Sequence, residues 1–166
     1  MQTLSRPLLS LTAADLMSTA LVVVPQSMSL QGAARLLSRA NVSGAPVVDS
    51  DGRCVGVLSA SDFVAWADKG ERAAKQRTTS CDCAYSAWQI MDAEDLPQDQ
   101  VEHHMTADPV TAAPVTVIDQ LARMMVDAHI HRIIVVDAEL RPVGIVSSTD
   151  ILAAVAHAHR RPGDTP

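Results

Sequence analysis

The feature that most constrains this chain is a repeat. Residues 17–64 lie over residues 105–152 without a gap, displaced by 88 positions. Met17, Val22, Ala34 and Arg35 recur as Met105, Val110, Ala122 and Arg123. Val47, Val48, Asp49, Val55, Gly56, Ser59 and Asp62 recur as Val135, Val136, Asp137, Val143, Gly144, Ser147 and Asp150. Neither copy alone is long enough to bury a stable core, so two similar halves are expected to cover each other's apolar faces.

Each copy carries the same local signals. A short apolar run, "LVVV" at 21–24 or "PVTA" at 109–112, reads as a strand. Leu30, Ala33, Ala34, Leu37 and Ala40 then fall on one face of a helix, and Ile118, Leu121, Ala122, Met125 and Ala128 repeat that spacing. Ser29 is suited to cap the first of these helices. Two β-rich runs follow around Asp51-Gly52, a hairpin signal, matched by "IIVVDAELRPVGIVS" in the second copy. A second helical pattern ends each copy. The expected fold is α/β (α+β): two βαββα repeats packed sheet to sheet with pseudo-twofold symmetry, helices outside. The expected boundaries are 11–68 and 99–159, with an insert over 69–98 and a frayed tail over 160–166.

Composition narrows the class of partner. Of 166 residues, 48% are apolar and 19% charged, as in an ordinary globular protein, and the net charge of −6 argues against nucleic acid. No apolar run approaches the roughly 18 residues that span a bilayer, and the N-terminal stretch lacks a signal-peptide pattern. Three cysteines, two of them in Cys81-Asp-Cys83, do not form a secreted disulfide framework. The expected compartment is the cytoplasm.

Both copies place a polar knot where a strand gives way to a helix: "GVLSASDFV" at 56–64 and "GIVSSTDIL" at 144–152. Two readings fit. Serine, threonine and aspartate are what a helix start requires. The same hydroxyls, beside the unpaired N–H groups of a helix terminus, suit phosphate, while the carboxylate suits the two hydroxyls of a ribose. Neither a P-loop nor a dinucleotide-binding glycine motif is present. His131-Arg132 enters the strand "IIVV" in the second copy, where the first has Ser43-Gly44. A surface pair is one reading; a fixed cation for phosphate is the other.

"HRIIVVD…RPVGIVSSTDIL" and "VSGAPVVDSDGRCVGVLSASDF" together resemble the paired cystathionine β-synthase (CBS) domain, or Bateman module, over about 15–64 and 101–153. The resemblance implies a module with no active site of its own and two clefts for adenosyl ligands between the repeats. In the preferred cleft Asp150 would hold ribose, and Ser147, Thr149, His131 and Arg132 would meet phosphate. Its adenine would lie near Ala20, Leu21 and Val22 and near Val42, Ser43 and Gly44. The second cleft would use Ser59, Ser61 and Asp62, with Asp108, Pro109 and Val110 and with Ile130 and His131 on the adenine side. The family also implies homodimers, formed through "LARMMVDAHI" and "ILAAVAHA", and a client protein.

The leading expectation is therefore a stand-alone, non-enzymatic regulatory module for AMP, ADP or ATP. One alternative is a protein-interaction module with vestigial clefts. Another is a thiol or metal sensor using Cys81 and Cys83 with His103 and His104, although that spacing fits no common zinc motif. Cys54 is expected to be a small core residue. Asp92, Glu94 and Asp95 read as a solvated acidic stretch.

Overall fold

The computed structural model describes residues 7–71 and 96–158. In chain order the elements are α1 (Ala13–Leu16), β1 (Val24–Pro25), α2 (Leu30–Ala40), β2 (Gly44–Val48), β3 (Cys54–Ser59) and α3 (Ala60–Glu71). After the insert come β4 (Thr106–Ala107), β5 (Thr111–Ala112), α4 (Ile118–Ala128), β6 (Arg132–Val136), β7 (Pro142–Ser147) and α5 (Ser148–Ala158). The βαββα order appears twice, as β1α2β2β3α3 and β5α4β6β7α5. The strands are shorter than the apolar runs suggested: only Val24–Pro25 and Thr111–Ala112 pair, each parallel to the strand after its helix.

The chain forms two compact units. One comprises Val22–Pro109; the other joins the residues up to Leu21 to those from Val110 onward. The first unit holds a sheet of order β1-β2-β3-β4, the second a sheet of order β5-β6-β7. Each hairpin is pinned by an aspartate repeated between the copies. Oδ1 of Asp49 accepts from the N–H groups of Asp51 and Arg53 at 2.9 and 2.8 Å. Oδ1 of Asp137 accepts from Glu139 and Arg141 at 3.0 and 2.8 Å. A carboxylate that closes its own turn this way fixes the hairpin's register. At the tip Gly52 takes a φ of 80°, where a side chain would be strained.

The helical periodicity has the outcome its spacing implies. Leu30, Ala33, Ala34 and Leu37 are buried, as are Ile118, Leu121 and Met125. Ala40 and Ala128, at the helix ends, are exposed, and Ala122 is half-buried. Ser29 caps α2, its Oγ accepting from the Gly32 N–H at 3.1 Å. Both helices end in a left-handed residue, Asn41 and His129. Val24, Leu37, Val47, Leu58, Phe63 and Val101 join the core of one unit; Ala13, Leu121, Ile133, Val135 and Val146 join that of the other.

The units are not the two halves of the sequence. The segment before each repeat docks on the other repeat's sheet. Residues ahead of β1 attach to β7, where Ser18 and Ile145 exchange backbone hydrogen bonds of 2.9 and 3.0 Å. Residues ahead of β5 attach to β3, where Thr106 and Ala107 pair with Val57 and Gly56. The supporting bonds recur at the 88-residue displacement. Ile118 N–H donates to the Leu11 carbonyl and Leu30 N–H to that of Asp99; Ala13 N–H donates to Thr116 and Val101 N–H to Met28. The repeated Met and Gly explain each other. Met17 lies on Gly144 and Met105 on Gly56, so closely that a Cβ on either glycine would fall 2.3 or 2.4 Å from the methionine sulfur.

Candidate functional site

In the unit that contains β7, the polar knot is built from strand end, helix start and neighbouring strand. Ser147 ends β7 and Asp150 sits in the first turn of α5. Oδ2 of Asp150 accepts from the Ser147 N–H at 2.7 Å and from its Oγ at 2.6 Å. The Asp150 N–H returns a bond to Ser147 Oγ at 3.3 Å. This reciprocal pattern is a capping box, so the structural reading of the motif holds. It does not use up the carboxylate. Among the described residues, no hydrogen bond reaches Oδ1 of Asp150, and none reaches the Thr149 hydroxyl, which is exposed.

The cation lies close by through register. Arg132 opens β6 directly opposite Ser147. Facing residues of an antiparallel pair project from the same sheet face, with Cβ atoms about 4.5–5.5 Å apart. Both His131 and Arg132 are exposed. The His131 carbonyl accepts from the Ser148 N–H at 2.9 Å, tying the pair's backbone to the first turn of α5. Ser147, Thr149, Asp150, His131 and Arg132 thus converge at one end of one sheet. Ala20, Leu21, Val110 and Ile130 belong to this unit as well; Val22, Val42, Ser43 and Gly44 belong to the other.

The matching knot in the other unit has the same frame and different satisfaction. Ser59 N–H and Oγ both donate to Oδ2 of Asp62, at 2.7 and 2.8 Å. Here the rest of the network is closed. Thr106 Oγ1 donates to Oδ1 of Asp62 at 3.1 Å, and the hydroxyls of Ser59 and Ser61 bond each other at 2.7 Å. The residue facing Ser59 is Gly44, so no cation projects there. A Cβ on Gly44 would lie 3.0 Å from the Leu58 carbonyl oxygen and 3.2 Å from Ser59, which leaves little room for a larger side chain. Asp108 and Pro109 follow β4 in this unit, Asp108 with a φ of 52° that aspartate tolerates better than most residues.

Thr106 was not visible as a site residue in the sequence. Its counterpart at the 88-residue displacement is Ser18, and nothing in a Ser/Thr exchange signals a bond to a carboxylate 44 positions upstream.

The remaining candidates fall elsewhere. Cys81, Cys83, Asp92, Glu94 and Asp95 lie outside the described residues, as does the tail. Among the described residues no His, Cys, Asp and Glu cluster could hold a metal ion. His103 and His104 instead share one carboxylate: Asp99 Oδ1 meets His103 Nδ1 at 2.8 Å and Oδ2 meets His104 Nε2 at 3.2 Å. The hydrogen bond between them raises the His103 imidazole above its ordinary value and lowers the Asp99 carboxyl. Cys54 is half-buried at the start of β3; burial pushes its thiol up, against the opposing effect of its bond to the Gly56 carbonyl. That is the opposite of an activated nucleophile.

No helix of the described chain is long and apolar enough to cross a membrane. The chain is similar to protein MJ1426 of Methanocaldococcus jannaschii, at 29% identity over 143 residues, spanning 81% of this chain and 85% of that one. It is 26% identical to a homoserine O-acetyltransferase of Methanohalobium evestigatum, of which it spans only 22%. Among solved structures, CBSX2 in complex with AMP superposes with a TM-score of 0.67 at 25% identity, covering 90% of this chain and 98% of that chain. The CBS domain model matches twice, at residues 13–69 and 100–157. With both repeats matched and the paired architecture present in the structure, the chain belongs to the CBS domain family.

Proposed function

We propose that this chain is a regulatory module that binds an adenine nucleotide at the Asp150 knot. The observation that carries the reading is the open Oδ1 of Asp150 beside the Ser147–Arg132 pair. Ribose hydroxyls are donors suited to a free carboxylate oxygen, and a guanidinium opposite Ser147 is suited to phosphate. Thr149 and His131 would add to the phosphate contacts, and Ala20 and Leu21 of the same unit would offer apolar surface to the base. The AMP complex of the similar CBSX2 supports the choice of ligand class. Signalling would follow from different affinities of two conformations for the nucleotide. Exposed Leu152 and Val155 on α5 support pairing of two copies through that helix, as the family resemblance suggests.

Calorimetry of the purified chain with AMP, ADP, ATP, NADH and S-adenosylmethionine tests the proposal. Asp150→Asn is the better probe than alanine, because the amide oxygen can still cap α5 while the charge on the open edge is lost. Binding of AMP or ATP that weakens at least tenfold in Asp150→Asn is expected. No binding by any of these compounds sinks the nucleotide reading and favours an interaction module.

A further inference from the structure

We propose that Thr106 makes the two aspartate knots unequal, blocking Asp62 so that an adenosine phosphate fills the Asp150 site first. The inference rests on the nucleotide reading above and adds a residue that sets site preference.

The two frames are built alike, so their differences stand out. In each, the aspartate Oδ2 accepts from the serine N–H at 2.7 Å and from the serine hydroxyl at 2.6–2.8 Å. Oδ1 is the edge left for a ligand. At Asp62 that edge is taken by the Thr106 hydroxyl at 3.1 Å. At Asp150 the corresponding position is Ser18, which occupies the same place on the sheet edge, across from Ile145 as Thr106 is across from Val57. Ser18 gives Asp150 no hydrogen bond. A β-branched threonine on an edge strand has few χ1 choices, whereas serine turns freely to water.

A second difference points the same way. Ser59 and Ser61, the hydroxyls placed for phosphate, bond each other at 2.7 Å, while Thr149 keeps its hydroxyl open. A third is the side chain opposite the serine, arginine in one unit and glycine in the other. A ligand at Asp62 must therefore displace two internal hydrogen bonds and finds no guanidinium facing Ser59; at Asp150 neither Oδ1 nor the Thr149 hydroxyl carries such a bond among the described residues.

Calorimetric titration of the full chain with AMP reads this directly, using Thr106→Val, Ser18→Thr, Asp62→Asn and Asp150→Asn. The wild type is expected to show one strong event that Asp150→Asn removes. Thr106→Val keeps the shape and edge pairing of the residue without its donor, and is expected to tighten the weaker event about tenfold. Asp62→Asn in that background should remove the gain. Ser18→Thr is expected to weaken the strong event, and it keeps the proposal testable should Thr106→Val fold poorly. Strong binding that is lost in Asp62→Asn rather than Asp150→Asn overturns the proposal. So does an isotherm indifferent to both Thr106→Val and Ser18→Thr, which leaves the nucleotide reading standing. Absence of AMP binding in the wild type overturns both.

Discussion

Replacing Gly144 by alanine tests the seat of Met17 on the sheet. The added Cβ would lie 2.3 Å from Met17 Sδ, 2.7 Å from its Cγ and 2.9 Å from its Cβ. Rotating the thioether moves the sulfur and Cγ but not Cβ, which is fixed to the backbone. The segment before β1 must therefore shift, and with it the Ser18–Ile145 pair of hydrogen bonds at 2.9 and 3.0 Å. Overpacking of this kind costs about 1–3 kcal/mol. Weakening the paired bonds adds roughly 0.5–1.5 kcal/mol for each one lost. The reduced entropy of the unfolded chain returns only about 0.4–1 kcal/mol. The expected net loss is about 2 kcal/mol. With a urea m-value of about 1–3 kcal/mol/M, the midpoint should fall by roughly 1 M. Urea unfolding followed by circular dichroism at two wavelengths measures this and checks two-state behaviour. Met17→Ala in the same chain removes the sulfur and Cγ contacts but keeps the Cβ contact, so it should relieve part of the clash, giving a favourable coupling of about 1 kcal/mol in the double-mutant cycle. Gly52→Ala is the control: nothing lies within 4 Å of its Cβ, so its cost comes from backbone conformation and Met17→Ala should not change it. A Gly144→Ala protein within 0.5 kcal/mol of wild type, or strict additivity with Met17→Ala, would refute the reasoning.

Asp137→Ala should destabilise the chain by about 1–2 kcal/mol by removing the two hydrogen bonds from the Glu139 and Arg141 N–H groups, which then turn to water, and Asp137→Asn should recover most of that; thermal unfolding distinguishes the two. The Asp99–His103 pair gives a pH dependence whose sign follows from its shifts. A raised His103 contributes below its ordinary 6.5 and loses its contribution as pH rises through the folded value. A lowered Asp99 contributes above its ordinary 3.8 and loses its contribution as pH falls through the folded value. The pair's contribution is thus full only between about pH 4 and 6.5. By NMR titration the His103 ring should titrate above the usual histidine range and return toward it in Asp99→Asn; an unchanged titration would remove the pair from the account.

The arrangement within each repeat was legible because local physics writes it into the sequence. Helix faces show as spacing at Leu30 through Leu37, the first hairpin as the Asp51-Gly52 turn, and the cap of α2 as Ser29. A helix start at Ser147 to Asp150 is one of the two readings the sequence offers, and the reciprocal bonds show it as a capping box. The docking of each leading segment on the opposite sheet was not. It rests on contacts far apart in sequence, and the Met17/Met105 and Gly56/Gly144 identities appear as parallel repeats until the structure pairs Met17 with Gly144. The strands are shorter than the apolar runs because Val23 and Val110, apolar in sequence, are exposed and lie outside the paired positions. Part of the difference between Asp62 and Asp150 is legible, in His131-Arg132 against Ser43-Gly44; the occupied Oδ1 of Asp62 is not, because it depends on a side-chain rotamer at Thr106, which a Ser/Thr exchange does not reveal.

The exchange of leading segments has a consequence for how the chain can be divided. A cut anywhere between Glu71 and Leu96 would leave an N-terminal fragment whose β3 lacks its edge partner and a C-terminal fragment whose β7 lacks its own. Each fragment would carry the missing piece of the other. The two should therefore reassemble by complementation when mixed. Either fragment alone, holding both a seating methionine and a receiving glycine, has what it needs to complete its sheet with a second copy of itself. Fusion of the repeats in one chain turns that bimolecular step into an intramolecular one.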